Sequence, residues 1–384
     1  MASLSADLDR RGLRLWQSIR GISWGLVLLI CAAAGSGIAV LYSAADGSME
    51  PWAAKQTIRF AIALILMVGV ALVDIRHWFR TAYWVYAVLL GLVVAVDLRG
   101  FVGMGAQRWI DLGVIQLQPS ELMNVVVVLA LARYFHSLSG EDVGRIRYLI
   151  LPALTVGVPA ALVLKQPDLG TAVLLLMGGV VMFFIAGVRL RYFVLTAAAV
   201  AAALPGVWHF LRDYQKSRIY TFLDPDSDPL GAGYHILQSK IALGSGGLFG
   251  KGFLQGSQSH LSFLPAKQTD FIFTTLAEEF GLVGGLGLLA LYSLIIVYGF
   301  AIALRSRNQF GRLLGLGIVT NFFLSVFINT AMVMGLIPVV GVPLPLISYG
   351  GTAMLAVMFG FGLLINVGVH GDIRLNNRGE PRPS

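Results

Sequence analysis

Apolar positions in this chain gather into long runs instead of alternating with polar ones. The runs fall at 22–43, 57–73, 81–98, 119–135, 149–165, 169–187, 192–211, 271–303, 313–335 and 346–369. A helix of roughly 17–25 apolar residues crosses a hydrocarbon core of about 30 Å. The pattern predicts an all-α, polytopic integral membrane protein with about ten transmembrane helices. The runs at 119–135 and 169–187 are short, and 271–303 is long enough to project beyond the bilayer. The expected organisation is a tail over 1–21, one transmembrane domain over 22–369 and a second tail over 370–384. The one long interruption, 212–270, separates the seventh and eighth spans.

Composition agrees with that class and narrows what the chain can do. The residues are 57% hydrophobic and 12% charged, with a mean hydropathy of +0.78, values that exclude a water-soluble domain. Cys31 is the only cysteine and lies in an apolar run, so no disulfide framework or cysteine-based zinc site is available. With the amino terminus placed in the cytoplasm, 17 of the 28 basic residues fall on inner segments, and all of these are Arg. Six of the others lie in the 212–270 loop, and loops of that length are largely exempt from the positive-inside bias. Both tails are then cytoplasmic. The net charge of +8 reflects topology and attraction to a membrane surface, with no nucleic acid partner expected. No small-residue cleavage site follows the first span, which is expected to remain as an anchor. The RGEPRPS tail is expected to be disordered.

Inner connections are short, whereas the outer side carries segments 99–118, 165–169, 212–270 and 336–346. Long loops in compact proteins usually carry function, so the chemistry is expected to face outward. Asp270 ends the longest of them, at the seam with an apolar helix. An ionisable group at that depth is costly and implies a role, helix capping being the plain alternative. Glu278 and Glu279 lie about 12 Å further along a helix. That exceeds the roughly 5–9.5 Å of paired glycosidase carboxylates, so Asp270 would act as a lone base. Glu121, in the first turn after Pro119 and Ser120, and Asp168, before the sixth span, are each explained singly by capping or the helix dipole. Acids at three outward helix starts, with Arg108, Lys165 and Lys267 near them in sequence, suggest instead a polar cavity within the bundle.

Within the long loop, Asp224-Pro225 and Asp228-Pro229 read as turns, and Tyr234–Leu243 predicts a short amphipathic helix at the membrane surface. The stretch GSGGLFGKG at 244–252 fails the phosphate-loop pattern, because Ser245 replaces the first Gly and Gly252 follows Lys251. Two readings stay open for it: a flexible surface loop, or bare backbone that approaches anionic or sugar groups. The prolines and paired glycines of PLPLISYGGT predict a broken entry to the last span that lines a cavity.

GAQRWIDLG at 105–113, QPSELM at 118–123, QPDLGTA at 166–172, GSGGLFGKG at 244–252, FLPAKQTDFIFTTLAEEFG at 263–281 and PLPLISYGGT at 343–352 occur in this order. Together they resemble the SEDS family of bacterial cell-wall polymerases, and the resemblance covers about residues 20–370. The wording around FLP and TDFIF is closer to the RodA, elongation-linked branch than to FtsW. The resemblance implies a glycosyltransferase that polymerises lipid II into β-1,4-linked glycan at the outer face of the bacterial cytoplasmic membrane. It implies Asp270 as general base and Arg108, Trp109, Glu121, Asp168, Arg218, Lys240 and Lys267 as substrate-binding candidates. A divalent cation such as Mg2+ or Mn2+ could assist the departing pyrophosphate, although no metal site is legible. The implied partners are a class B penicillin-binding protein transpeptidase, the elongation complex and membrane lipid.

The chain departs from the family wording at two places. Asn124 stands where the family usually has Lys, which removes a partner for Glu121 three residues away on the same helix face. Gln268 stands where the family usually has His, beside the Thr-Asp pair. The alternative functions are a lipid II flippase, to which buried acids and broken helices are suited, and a non-catalytic scaffold of the cell-wall machinery. One-sided polar loops argue against the first, and the seam carboxylate beside basic residues argues against the second.

Overall fold

A computed structural model describes residues 19–103, 106–111, 116–210, 213–224, 232–257, 266–373, 375–376 and 379–380. The basic 1–18 segment, Arg212, the Asp228-Pro229 turn, the FLP of 263–265 and most of the RGEPRPS tail lie outside the described residues.

The helices are α1 (Trp24–Ala44), α2 (Ala53–Leu72), α3 (Ile75–Arg99), α4 (Pro119–His136), α5 (Ile150–Lys165), α6 (Leu169–Ile185), α7 (Leu190–Phe210), α8 (Asp213–Leu223), α9 (Ala232–Ser245), α10 (Ile272–Arg305), α11 (Gln309–Val333) and α12 (Gly351–Val369). Seven are long and apolar enough to cross a membrane: α1, α2, α3, α5, α10, α11 and α12. The shorter apolar α6 and α7 and the more polar α4 complete the ten expected spans. The protein is a multi-pass helical membrane protein.

The centre of the bundle is α4, α11 and α12. Val125 to Ala132 of α4 are buried without a break, and the apolar stretches of α11 and α12 are 72% and 67% buried, against 28% for α2 and 22% for α3. The outer helices therefore offer large apolar faces, such as Ile58, Ile65, Trp84 and Leu98, which suit contact with lipid. Close packing relies on small residues, as helix pairs in lipid do. A side chain on Gly317 would meet Met182 and Val128, and one on Gly362 would meet Val70 and the Met67 carbonyl.

Three features differ from the hydropathy reading. Segment 99–118 is not a plain loop: strands β1 (Phe101–Gly103), β2 (Ala106–Asp111) and β3 (Gln116–Leu117) form a small antiparallel sheet in the order β1-β2-β3. The long loop holds two helices, α8 and α9, so the predicted Tyr234–Leu243 helix exists within α9. It docks on the bundle, however: Ile236, Ser239 and Ala242 are buried, and Ser239 Oγ donates to the Val333 carbonyl at 2.8 Å.

The third difference concerns the long eighth span, which is two helices. Gly281 has φ 67 and ψ −163, and the chain breaks there. The break frees backbone groups that must find partners inside the protein. The glycine-rich loop supplies them. Lys251 N and Gly252 N donate to the Glu278 and Glu279 carbonyls at 3.0 Å each, while Leu282 N and Val283 N donate to Gly247 O and Leu248 O at 2.9 and 3.1 Å. Gly246 and Gly250 lie so close that a Cβ on either would collide with the Ala277 or Glu279 carbonyl. GSGGLFGKG is thus held to the broken helix through its bare backbone.

Candidate functional site

The break makes Ile272–Phe280 a short, enclosed half-helix, buried from Phe271 through Glu279. Asp270 sits in the turn that leads into it. Asn329 Nδ2 on α11 donates to the Asp270 carbonyl at 2.9 Å and to the Val342 carbonyl at 2.8 Å. Ser348 Oγ donates to Thr269 O at 2.6 Å, and Tyr349 N donates to Gln268 O at 2.8 Å. The turn is therefore sewn to the proline-rich segment before α12, which fixes the backbone beneath the carboxylate. A Cβ on Gly341 would lie 3.6 Å from Asp270 Oδ2, so the glycine keeps that side of the carboxylate clear.

Asp270 lies within the fields of three charged side chains: Arg218, Asp168 and Arg108. Burial pushes its pKa up from 3.8 to about 6, a rise that Arg218 and Arg108 oppose and Asp168 reinforces. Arg218 comes from α8 and donates through Nη1 to the Val339 carbonyl at 3.0 Å. Arg108 comes from β2 and donates through Nε to the Gln166 carbonyl at 3.2 Å and through Nη2 to the Pro167 carbonyl. Its Nη1 stands 4.0 Å from Asp168 Oδ1. Asp168 caps α6, accepting from Thr171 N at 3.3 Å and Thr171 Oγ1 at 2.8 Å, and it also accepts from Gln118 Nε2 at 2.9 Å. The structure thus brings Asp270, Arg108, Arg218 and Asp168 together from four separate elements.

The other candidates stand further out. Lys267 is buried in the same turn, with Nζ 5.9 Å from the Trp52 ring centroid. Lys240 is exposed on α9 and its stem covers Gly335. Trp109 is half-buried on β2 next to Arg108. Glu121 borders a separate cavity of about 100 Å³ between α4, α6, α11, α12 and the Val342–Leu346 segment, which Asp270 does not line. Lys165 points elsewhere, pairing with Asp97 at 2.5 Å. Glu278 and Glu279 are fully enclosed: Lys251 Nζ pairs with Glu278 Oε1 at 2.6 Å, and Ser43 Oγ donates to Glu279 Oε1. Neither is among the charged groups that bear on Asp270.

Sequence reasoning missed Gln118 and Asn329, which position the acids, and Arg59, whose guanidinium lies 4.6 Å from the Tyr349 ring centroid. A signal was present for the last two. A carboxamide near the end of α11 and an arginine inside the second apolar run are both costly in lipid. Among the described residues no group of three or more His, Cys, Asp or Glu side chains could hold a metal ion. A Mg2+ at this site would therefore lean on one or two carboxylates and on substrate phosphates.

A helical multi-pass membrane protein whose buried carboxylate, at the start of an enclosed half-helix, lies within the fields of two arginines and a second acid defines a class of membrane-protein site. The FtsW/RodA/SpoVE family model, described as a cell cycle protein, matches residues 21–372, and the chain belongs to this family, also called SEDS. It is 44% identical to the peptidoglycan glycosyltransferase MrdB of Escherichia coli K12 over 90% of this chain and 93% of that one. It is 35% identical to stage V sporulation protein E of Bacillus subtilis over 89% of this chain and 95% of that one. The fold is similar to RodA of Thermus thermophilus, with a TM-score of 0.69, 30% identity and 91% and 98% coverage of the two chains. It is also similar to a chain of a peptidoglycan synthase complex that coordinates polymerisation and crosslinking, with a TM-score of 0.78, 33% identity and 90% and 97% coverage.

Proposed function

We propose that this protein is an inverting peptidoglycan glycosyltransferase of the elongation type. It polymerises lipid II at the outer face of the cytoplasmic membrane, and residues 22–369 form its catalytic domain. The observation that carries this reading is the placement of Asp270: a carboxylate with a raised pKa, held by its backbone, with Arg218 and Arg108 close enough to affect it.

In this reading Asp270 accepts the proton of the acceptor GlcNAc 4-hydroxyl as the oxygen attacks the anomeric carbon of the donor MurNAc. The bond to undecaprenyl pyrophosphate breaks with inversion, leaving a β-1,4 linkage and a protonated Asp270. A base whose pKa lies near the working pH is suited to this step. Arg108 and Arg218 offset the negative charge that grows on the pyrophosphate, and Asp168 holds Arg108 towards the centre. Lys267, Lys240 and Trp109 line the approach of the lipid-linked sugars. A class B penicillin-binding protein and the elongation complex are the partners this reading implies, which the likeness to a peptidoglycan synthase complex supports.

The test is polymerisation of labelled lipid II by purified protein, with and without its cognate penicillin-binding protein carrying a disabled crosslinking site. Glycan ladders from wild type and none from a folded Asp270→Asn variant are expected. Equal ladders from both would remove Asp270 from the chemistry. No ladder from either, with the partner bound, would favour a flippase or scaffold.

A further inference from the structure

One short motif occurs twice in the chain, as RIRYLI at 145–150 and RLRYFV at 189–194. Each copy stands at the start of a helix, the first at α5 and the second at α7. Packing sets the two side by side. Tyr192 Oη donates to the Gly144 carbonyl at 3.1 Å, and a Cβ on Gly144 would lie 2.8 Å from Arg189 Nε. The Arg189 guanidinium therefore rests on bare backbone next to Arg145. From here α5 runs 16 residues, about 24 Å, before Gln166, whose carbonyl accepts from Arg108. The paired motifs thus lie at the far end of the bundle from Asp270.

Within each copy the second arginine lies over the tyrosine that follows it. Arg147 is 4.7 Å from the Tyr148 ring centroid and Arg191 is 5.0 Å from that of Tyr192, and they donate to those hydroxyls at 3.1 and 3.2 Å. Stacking orients a guanidinium and leaves most of its donors free. All four arginines are exposed, against two acids in these segments, Glu141 and Asp142. Asp142 pairs with Arg145 at 3.3 Å. Among the described residues Arg147, Arg189 and Arg191 have no carboxylate partner. Two helix starts add their own preference for an anion. Beside the arginines the surface is apolar: Ile146, Ile150, Leu154 and Val158, each a helical turn apart, are all exposed, as are Leu190 and Val194. Cations over an apolar track match a lipid whose head is negative. We infer that the paired motifs bind the phosphate of an anionic phospholipid, whose acyl chains lie along the Ile150, Leu154 and Val158 stripe. In the topology that the arginines predict, this lipid belongs to the cytoplasmic leaflet.

The test is native mass spectrometry of the purified protein in detergent, titrated with phosphatidylglycerol or phosphatidylcholine. Wild type is expected to retain phosphatidylglycerol at concentrations about tenfold lower than phosphatidylcholine. A variant carrying Arg147→Gln, Arg189→Gln and Arg191→Gln is expected to hold the two lipids equally. A matched variant, Arg80→Gln, Arg305→Gln and Arg312→Gln, removes three other exposed arginines from the same predicted side and is expected to keep the wild-type preference. No preference in wild type, or a preference that survives in the first variant, would overturn the site. Equal loss in both variants would overturn it too, leaving only an effect of overall charge. Inorganic phosphate is added as a competitor in a further arm, and release of phosphatidylglycerol at an equal concentration would make free phosphate the ligand and overturn the lipid.

Discussion

At the scale of single residues, Asp270 carries the sharpest expectations. Replacing it with Asn should lower polymerisation by about 10²–10⁴-fold, the usual contribution of a general base, as read from glycan ladders. Stability should move the other way. The native carboxyl binds its proton more tightly than the unfolded one, with a pKa of about 6 against 3.8. The unfolded chain therefore loses its proton first as pH rises, and native stability falls between about pH 4 and 6. That deficit persists at neutral pH, so Asp270→Asn should melt at or above the wild-type Tm there. The same pKa predicts an activity that declines as pH drops through about 6. Because Arg218 opposes the upward shift, Arg218→Gln should displace this acidic limb to higher pH, an effect a merely destabilising change would not produce.

At the scale of elements, the break in α10 and the glycine-rich loop form one unit. Gly281 and Gly250 both have positive φ, 67 and 82, and a Cβ on either would strike the other's backbone or its neighbours'. Gly250→Ala or Gly281→Ala should cost about 3 kcal/mol or more, seen as loss of the monodisperse peak on size exclusion in detergent. Lys251→Met takes the Lys251 ammonium away from the enclosed Glu278 carboxylate. Breaking a fully buried pair costs about 3–5 kcal/mol, and partial exposure of Lys251 reduces this to about 2 kcal/mol. Adding Glu278→Gln should restore part of the loss. The motif itself was plain in the sequence, but its role was not: glycines that approach a ligand and glycines that approach another backbone look identical along a chain.

At the scale of the whole molecule, the distribution of arginines predicts that the long loop faces outward and both tails face the cytoplasm. In a cysteine-free background made with Cys31→Ala, Gln255→Cys should react with an impermeant maleimide added to intact spheroplasts. Ser137→Cys, on the opposite side, should react only after permeabilisation; the reverse pattern would invert the topology. Both positions are exposed at the surface, so labelling reports sidedness and not burial.

Hydropathy by itself determined that the chain spans a membrane, about how often, and where the long loop and the seam carboxylate fall. These are local properties, because each apolar run must match the bilayer thickness on its own. The family wording holds Asp270, Arg108 and Asp168, with Arg218 a candidate only as a cation of the long loop, and did not show that they meet. Their meeting was decided by tertiary structure, since they come from a turn, a strand, a loop helix and a helix cap, and only packing brings such distant segments within reach. Packing likewise made two helices of one apolar run, because Gly281 is an ordinary residue until a second backbone takes up the groups it frees. It also set Glu121 at the border of a mostly apolar cavity that Asp270 does not line, since a carboxylate's neighbours are set by the helices that surround it.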